Sequence, residues 1–313
     1  MRAAVLVSGV GSVTPFTTPT EACRTGFSAG NTWAYIRDFL VTQGIPVFTA
    51  PAMTGPGPVE DQSDELLGPF ADGPAALPAE MTINSIDSVH QGGVNLAGFL
   101  DYLAAEHGVT EVDVVAHSLG GIFSRNGIRE ARRAGVPVRF RSLTTLGSPW
   151  EPVMLANPPY QPELACDGLE VCVQTVKALI EVPTVRNIVD FFQPDVFDPW
   201  TAEQAGALDD VAVTLVAGTY FAKIDGRRDK WPNDGFVQWR AALAQSVPDS
   251  VLPDRVGLSF PLTHSRAESL AVEEPESMGL TWNASVAGAI AHAITTAGTE
   301  RRLPNRFGCP DPD

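Results

Sequence analysis

The sequence has no run of 18 apolar residues, so we expect no helix that crosses a membrane. Positive charge is also scarce, because 21 lysines and arginines face 37 aspartates and glutamates, for a formal net charge of −16. A surface of that sign repels phosphate backbones and anionic membranes, which argues against nucleic-acid binding and against an acidic substrate. The glycines form no phosphate-binding Gly-x-x-x-x-Gly-Lys-[Ser/Thr] or Gly-x-Gly-x-x-Gly motif, so a nucleotide site is disfavoured.

Cysteine is rare, and its spacing excludes the common metal and redox sites. The four cysteines are Cys23, Cys166, Cys172 and Cys309, with no Cys-x-x-Cys pair among them, so we expect neither a metal nor another cofactor. Four thiols allow three pairings, and the short Asp-Gly turn between Cys166 and Cys172 favours a local disulfide. Cys23 and Cys309 would then tie the two ends of the chain together, while four reduced, buried cysteines remain the alternative.

The even cysteine count and the acidic surface are typical of a soluble protein in an oxidising, extracellular compartment. Residues 1–7 form too short an apolar stretch for a signal peptide and lead directly into a strand. Secretion therefore implies that a leader peptide has been removed.

Apolar segments alternate between strand and helix patterns along the chain. Hydrophobic residues make up 44% of the 313 residues and charged ones 19%, enough for a sizeable core. Such alternation predicts an α/β fold, with a mostly parallel sheet covered by helices on both faces. The predicted strands are 3–8, 46–49, 112–116, 138–146, 211–221 and 255–260, and the predicted helices include 31–43, 86–106, 122–134 and 284–296.

Two segments fall outside this alternation. Residues 51–78 are rich in Gly, Pro and acids and are predicted to form a long loop. Residues at about 151–208 hold Cys166, Cys172, a helix near 173–182 and the apolar stretch 191–200. With no linker long enough to separate two domains, we expect one domain over residues 1–313, with this segment inserted as a cap or lid.

The most informative segment is residues 114–121, where a strand ends and a helix begins within three residues. Ser118 lies at that corner, in Ala116-His117-Ser118-Leu119-Gly120, with small residues two positions away on either side. A sharp turn of this kind strains the backbone of the serine and exposes its hydroxyl at the carboxyl end of the sheet. We therefore predict that Ser118 is a nucleophile.

The segment resembles the Gly-x-Ser-x-Gly nucleophile turn of the α/β-hydrolases, and its Ala-His-Ser-x-Gly form is similar to that of some bacterial lipases and esterases. The resemblance covers residues 3 to about 296 and departs from the pattern at Ala116, where glycine is usual. It implies the α/β-hydrolase fold and a carboxylic-ester substrate, either a triacylglycerol, a soluble ester or a polyester.

The resemblance also implies a base and an acid that follow Ser118 in the order acid, then histidine. Of the five histidines, His264 is the one that follows the last predicted strand in a loop, so it is the predicted base. Candidates for the acid are Asp225, Asp229 and Asp234. Asp234 is favoured because Asn233-Asp234-Gly235-Phe236-Val237 is similar to the Asp-Gly-x-Val segment of bacterial lipases.

An acyl-transfer enzyme needs two donors directed at the developing oxyanion. The amide after the nucleophile, that of Leu119, is the first. Ser8-Gly9-Val10-Gly11 resembles the His-Gly-x-Gly loop of lipases, with Ser8 in the place of histidine, so the Val10 amide is the predicted second donor. Trp150, in a Gly-Ser-Pro-Trp segment after a predicted strand, is a candidate substrate-binding residue that walls the acyl pocket, although a core position fits it nearly as well.

These features predict a secreted, monomeric serine ester hydrolase acting on a small-molecule or lipid ester through Ser118, Asp234 and His264. Acyl transfer to an acceptor other than water is the alternative enzyme class. A third hypothesis is a binding protein on an inactive hydrolase scaffold.

Overall fold

A computed structural model describes residues 1–20, 32–60, 76–153, 158–223, 226–227 and 229–297. Cys23, Cys309 and Asp225 lie outside these ranges, and so does much of the predicted 51–78 loop.

The apolar segments form one six-stranded sheet in which every neighbouring pair of strands is parallel. The order of its strands is β2-β1-β5-β6-β7-β8, with β3 and β4 paired in a second, two-stranded sheet. The predicted mostly parallel sheet is thus confirmed. The strands are β1 (Arg2–Val7), β2 (Val47–Thr49), β3 (Ala52–Met53), β4 (Ile83–Asn84), β5 (Glu111–His117), β6 (Arg139–Leu146), β7 (Ala212–Gly218) and β8 (Arg255–Phe260).

Helices connect the strands and flank the large sheet. They are α1 (Ala34–Thr42), α2 (Val89–His107), α3 (Gly120–Ala134), α4 (Pro162–Ala165), α5 (Glu170–Ile180), α6 (Val185–Phe191), α7 (Pro194–Ala202), α8 (Trp239–Ala242), α9 (Arg266–Ala271) and α10 (Ala284–Thr296). Short 3₁₀ turns occupy Ala79–Met81, Glu276–Met278 and Leu280–Trp282. None of the helices that the structure describes has the length and hydropathy needed to cross a bilayer.

The hydrophobic core lies on both faces of the sheet, and β1 shows why. Side chains alternate across a strand, so Ala3, Val5 and Val7 pack into one buried cluster while Ala4 and Leu6 pack into another. All five are fully buried, as expected of a parallel strand with helices on both sides.

Three elements differ from the sequence-based prediction, each because of a particular hydrogen bond or strand pairing. The second helix begins at Val89 because the Ser88 Oγ accepts a hydrogen bond from the Gln91 amide and caps it. The strand predicted over 211–221 ends at Gly218, and Phe221 instead exchanges backbone hydrogen bonds with Asn233, both at 3.0 Å. The 51–78 segment includes the two-residue strand β3, which pairs with β4.

Between β6 and β7 the chain forms the four helices α4 to α7. The Sγ atoms of Cys166 and Cys172 are bonded and join the end of α4 to α5, as the local pairing predicted. The apolar stretch 191–200 divides into the end of α6 and most of α7, and its aromatic rings pack together, Phe197 edge to face with Phe191 and stacked on Phe192. The role of this segment as a cap or lid remains a prediction.

Candidate active site

Ser118 lies at the turn between β5 and α3 with a φ of 55°, in the left-handed region that a non-glycine residue rarely adopts. Its amide donates a 2.9 Å hydrogen bond to the Leu146 carbonyl, which fixes the turn against the next strand. The turn needs a residue without a side chain at Gly120, where a Cβ atom would lie 2.4 Å from the Val7 carbonyl oxygen. A strained backbone of this kind costs about 1–3 kcal/mol and is typical of functional sites.

The loop after β1 packs directly against the serine. A Cβ atom on Gly9 would lie 2.6 Å from Ser118 Cβ, so only glycine allows this approach. Val10 and Leu119 line one cavity together with Ser118. Within the described ranges, neither the Val10 nor the Leu119 amide donates a hydrogen bond, so both remain free to bind an oxyanion.

Ser8 braces this loop from behind. The Trp33 indole donates a 2.9 Å hydrogen bond to Ser8 Oγ, which is 2.7 Å from Thr14 Oγ1. Because an indole N–H can only donate, the Ser8 hydroxyl accepts from Trp33, and it shares a second hydrogen bond with the Thr14 hydroxyl. Ser8 is therefore buried with two hydrogen-bond partners, Trp33 and Thr14.

Asp234 lies on a tight turn whose amides surround its carboxylate. Asp234 Oδ1 accepts hydrogen bonds from the Phe236 amide at 2.9 Å and the Val237 amide at 2.7 Å. Gly235 provides the turn with a φ of 106°. The Asp234 carbonyl also accepts a 2.7 Å hydrogen bond from the His264 amide, so main-chain and side-chain contacts both join these residues.

His264 follows β8 and bonds through Nδ1 to Asp234 Oδ2 at 2.8 Å. Burial lowers the pKa of His264, but the charge and hydrogen bond of Asp234, with the charge of Glu268, raise that pKa above its ordinary value. Gly147 leaves room for the pair, because a Cβ atom there would lie 2.7 Å from Asp234 Oδ2 and 2.9 Å from His264 Nδ1.

Ser118, Asp234 and His264 follow three different strands, and each is at most 5% exposed. The His264 ring contacts Phe236, which lines the Ser118 cavity, with the two ring centres 5.4 Å apart. Ser118 Oγ has no hydrogen-bond partner within the described ranges. Contacts between nucleophile and base are often looser in unliganded enzymes than in their complexes.

Sequence reasoning passed over His117, which precedes the nucleophile. His117 Nε2 is 2.9 Å from the His264 carbonyl oxygen, so Nε2 carries the proton and donates it. Burial, followed by the nearby His264, holds the pKa of His117 well below its ordinary range, so this ring stays neutral. Its position in the Ala-His-Ser motif was visible in the sequence, but its partner was not.

Glu268 was missed as well. Ser265 Oγ caps α9 by accepting a hydrogen bond from Ala267 and donates one to the Glu268 carboxylate. The Ser-x-x-Glu spacing of a capping box is visible in the sequence, whereas the proximity of Glu268 to the buried histidine is not.

The cavity at Ser118 is small and apolar. Its volume of about 10 Å³ is no more than a single water molecule requires. Ile188 and Phe192, from α6 and its C-terminal end, form part of its lining. A ligand larger than one water molecule therefore requires lining side chains to move.

Trp150 lies elsewhere. It is 1% exposed, its indole donates to Thr145 Oγ1 at 3.1 Å, and its ring is not part of the Ser118 cavity lining. It instead lines a second cavity of about 420 Å³ between α7 and residues 246–251. A direct role in binding substrate remains a prediction for Trp150.

The other candidates face away from the site. Asp229 is ion-paired with Arg227 at the surface, with the closest contact at 2.8 Å. His292 is exposed on the outer face of α10. In the part of the chain that the structure describes, no group of three or more His, Cys, Asp or Glu side chains is placed to hold a metal ion.

No protein-family model matches the chain, and no curated protein matches it either. Solved structures with a similar fold include the Bacillus licheniformis lipase BlEst2 in mature form, at 13% identity over 82% of each chain with a TM-score of 0.49. The propeptide form of that lipase is 15% identical over 77% of this chain, with a TM-score of 0.44. This match covers only 42% of the length of the propeptide form. The Pyrococcus furiosus esterase Pf2001 is 12% identical over 95% of this chain and 83% of its own, with a TM-score of 0.47.

These similarities are too distant to carry an argument about activity, so the fold is assigned from the molecule itself. The parallel sheet has helices on both faces, the strained Ser118 lies between β5 and α3, and Asp234 and His264 follow the next strands in that order. The chain therefore has the fold of the α/β-hydrolase superfamily.

Proposed function

We propose that this protein is a serine carboxylic-ester hydrolase. One observation carries the proposal. A serine with a strained backbone lies beside two amides that have no hydrogen-bond acceptor in the described ranges, and a buried histidine–aspartate pair lies at the same edge of the sheet. Acyl transfer needs these parts, namely a nucleophile, a base oriented by a carboxylate, and donors for an oxyanion.

In the proposed mechanism, Ser118 Oγ attacks the ester carbonyl while His264 Nε2 takes its proton. Because His264 Nδ1 is bonded to Asp234, Nε2 is the nitrogen left to face the serine. The oxyanion binds the Val10 and Leu119 amides, and the N-terminal end of α3 adds its positive dipole.

His264 then returns the proton to the departing alcohol, leaving an acyl group on Ser118. Water, deprotonated by the same histidine, hydrolyses this acyl-enzyme and regenerates the free serine. His117 holds the His264 main chain during both half-reactions through its hydrogen bond to the carbonyl oxygen.

The cavity lining supports an apolar acyl group as the substrate class. Beside Ser118 it consists of Val10, Leu119, Pro149, Val153, Ile188, Phe192, Phe236 and Val237. We propose that α6 acts as a lid, since its side chains close this space, and that a lipid-like or short apolar ester enters when α6 moves.

The test is hydrolysis of p-nitrophenyl esters of increasing acyl length by the wild type, Ser118→Ala and Ser124→Ala. Ser124 is a matched control, because it is a buried serine of α3 that does not line the Ser118 cavity. We expect Ser118→Ala to lose roughly a thousandfold or more in kcat/KM, while Ser124→Ala stays close to the wild type. Equal activity in Ser118→Ala and the wild type would contradict the assignment, and the absence of both turnover and an acylation burst would favour a binding protein.

Acyl transfer is a second candidate, because a closed apolar site keeps water away from the acyl-enzyme. Product analysis with an added alcohol or thiol distinguishes the two activities. A transferase gives the transacylated product as its main product, whereas a hydrolase gives the free acid.

We also propose an oxidising, extracellular location, which the Cys166–Cys172 bond supports. Thiol alkylation of the unfolded protein without a reductant tests this pairing, because both cysteines are fully buried in the native fold. Labelling of both cysteines would contradict it.

A further inference from the structure

Arg125 is a buried cation that the proposed mechanism does not use. It lies on α3, the helix that follows Ser118, and is only 1% exposed. Its guanidinium carbon is 4.5 Å from the centre of the Trp150 ring and 4.6 Å from that of Trp200. Stacking on indole rings attracts the cation but provides no hydrogen-bond acceptor for its N–H groups.

None of the three guanidinium nitrogens has a hydrogen-bond partner within the described ranges. The chain has 37 acidic residues, yet no described carboxylate forms an ion pair with Arg125. Burial lowers the pKa of Arg125 to about 9, which still leaves it charged at neutral pH. A buried charge without a partner is strongly destabilising, so the group needs a counter-charge.

The side chains around Arg125 leave further hydrogen-bond donors unused. Trp200 Nε1 and the Thr201 hydroxyl on α7 are buried without a hydrogen-bond partner in the described part of the chain, as is the acceptor Gln204 Oε1 just after α7. The ion pair between Arg129 and Glu203, at 3.1 Å, holds the end of α7 against α3 beside them. The Trp200 indole and the Arg125 guanidinium can only donate, so both groups require an acceptor.

We propose that a small monovalent anion, a halide or a short carboxylate, binds at Arg125 between α3 and α7. One negative charge balances the single unpaired guanidinium, whereas a dianion would introduce a second uncompensated charge. The indole rings cover the guanidinium faces, so the ligand must bind at the edge where the N–H groups point. Trp150 and Thr201 also line the 420 Å³ cavity next to this interface, together with the carboxylates Glu151 and Asp198, so an anion that enters there must pass two negative charges before it reaches Arg125.

The first experiment measures the Tm of the whole protein in sodium gluconate, whose anion is larger than the proposed halide or short carboxylate. Gluconate is then replaced stepwise by chloride, bromide or formate at constant ionic strength. Because a bound ligand stabilises the folded state by mass action, we expect a saturable rise in Tm of about 5 °C at an anion concentration far above its Kd.

Two variants with the same substitution provide the comparison. Arg125→Met keeps a long side chain between the indoles without the charge, and should abolish the anion dependence. Arg129→Met removes a cation one helical turn away that is already paired with Glu203, and should keep that dependence. An anion effect retained in Arg125→Met would overturn the proposal.

If Arg125→Met fails to fold, anomalous diffraction from bromide-soaked crystals of the wild type tests the proposal instead. Wild-type crystals soaked in bromide should show an anomalous peak within hydrogen-bond distance of Arg125. An effect of formate without one of halides would identify a carboxylate as the ligand. If the Tm does not depend on the anion and no bromide peak appears, then water alone, or nothing, contacts Arg125. The proposal would then be wrong.

Discussion

Gly147→Ala tests the geometry of the Asp234–His264 pair more selectively than removal of either residue. Gly147 follows β6 with a φ of 52°, and its hydrogen faces the hydrogen bond between Asp234 and His264. A Cβ atom there would lie 2.7 Å from Asp234 Oδ2, 2.9 Å from His264 Nδ1 and 3.1 Å from His264 Cε1. Separations below 3.0 Å cannot persist, so the carboxylate and the ring must move apart by several tenths of an ångström.

The new alanine has two effects that can be measured separately. A left-handed backbone costs a residue with a Cβ about 1–2 kcal/mol, which lowers the Tm of a chain of this size by about 2–6 °C. Displacement of the base costs activity, since a misplacement of about 1 Å can reduce the rate by roughly a hundredfold. We expect kcat/KM on p-nitrophenyl esters to fall by about a hundredfold.

Gly108→Ala is the matched control. Gly108 ends α2 with a φ of 62°, and a Cβ atom there would have no neighbour within 4 Å. This variant should lose similar stability and keep its activity. If Gly147→Ala stays within about threefold of the control in kcat/KM, contact with the Asp234–His264 pair has been misjudged.

Four further predictions follow from the same site. His264 must be neutral to act as base, so kcat/KM should fall as the pH drops through its raised pKa, with a midpoint above the ordinary value of about 6.5. Glu268→Gln removes one charge that raises this pKa and should move the acidic limb to lower pH; an unchanged pH–rate profile would show that Glu268 has no electrostatic effect on His264. Ser8→Ala removes the hydroxyl that braces the Val10 loop and should lower kcat about tenfold with little change in KM. This loss is smaller than the roughly 10²–10³-fold loss in kcat expected when a whole oxyanion donor is removed. A kcat that burst kinetics show to be unaltered would contradict this prediction. Phe192→Ala opens the cavity at Ser118 and should raise kcat/KM for long acyl chains relative to short ones, at a cost of about 3 kcal/mol in stability by urea unfolding; an unaltered chain-length preference would argue against closure by α6.

The sequence by itself determined the main strands and helices, because their signals are local. Apolar runs of strand length, helices with capping residues and a serine between small residues are all readable along the chain. The Cys166–Cys172 pairing was readable for the same reason, since only a short turn separates the two thiols. The local motifs also predicted Asp234 and His264, and the structure brings the two into contact.

The contacts between distant segments were decided by the tertiary structure. Ser8 is braced by Trp33, and His117 bonds to His264, which lies 147 residues further along the chain. No periodicity encodes such partners, because they depend on which strand ends lie side by side in the parallel sheet.

Burial was equally out of reach of the sequence. In its motif Trp150 fits a pocket wall or a core position nearly equally, and the fold packs it against Arg125 and beside a separate cavity. Arg125 itself looks like an ordinary helical arginine until α7 covers it. A residue type fixes the charge it carries, but only the packing of other segments fixes whether that charge is solvated, paired or left buried without a partner.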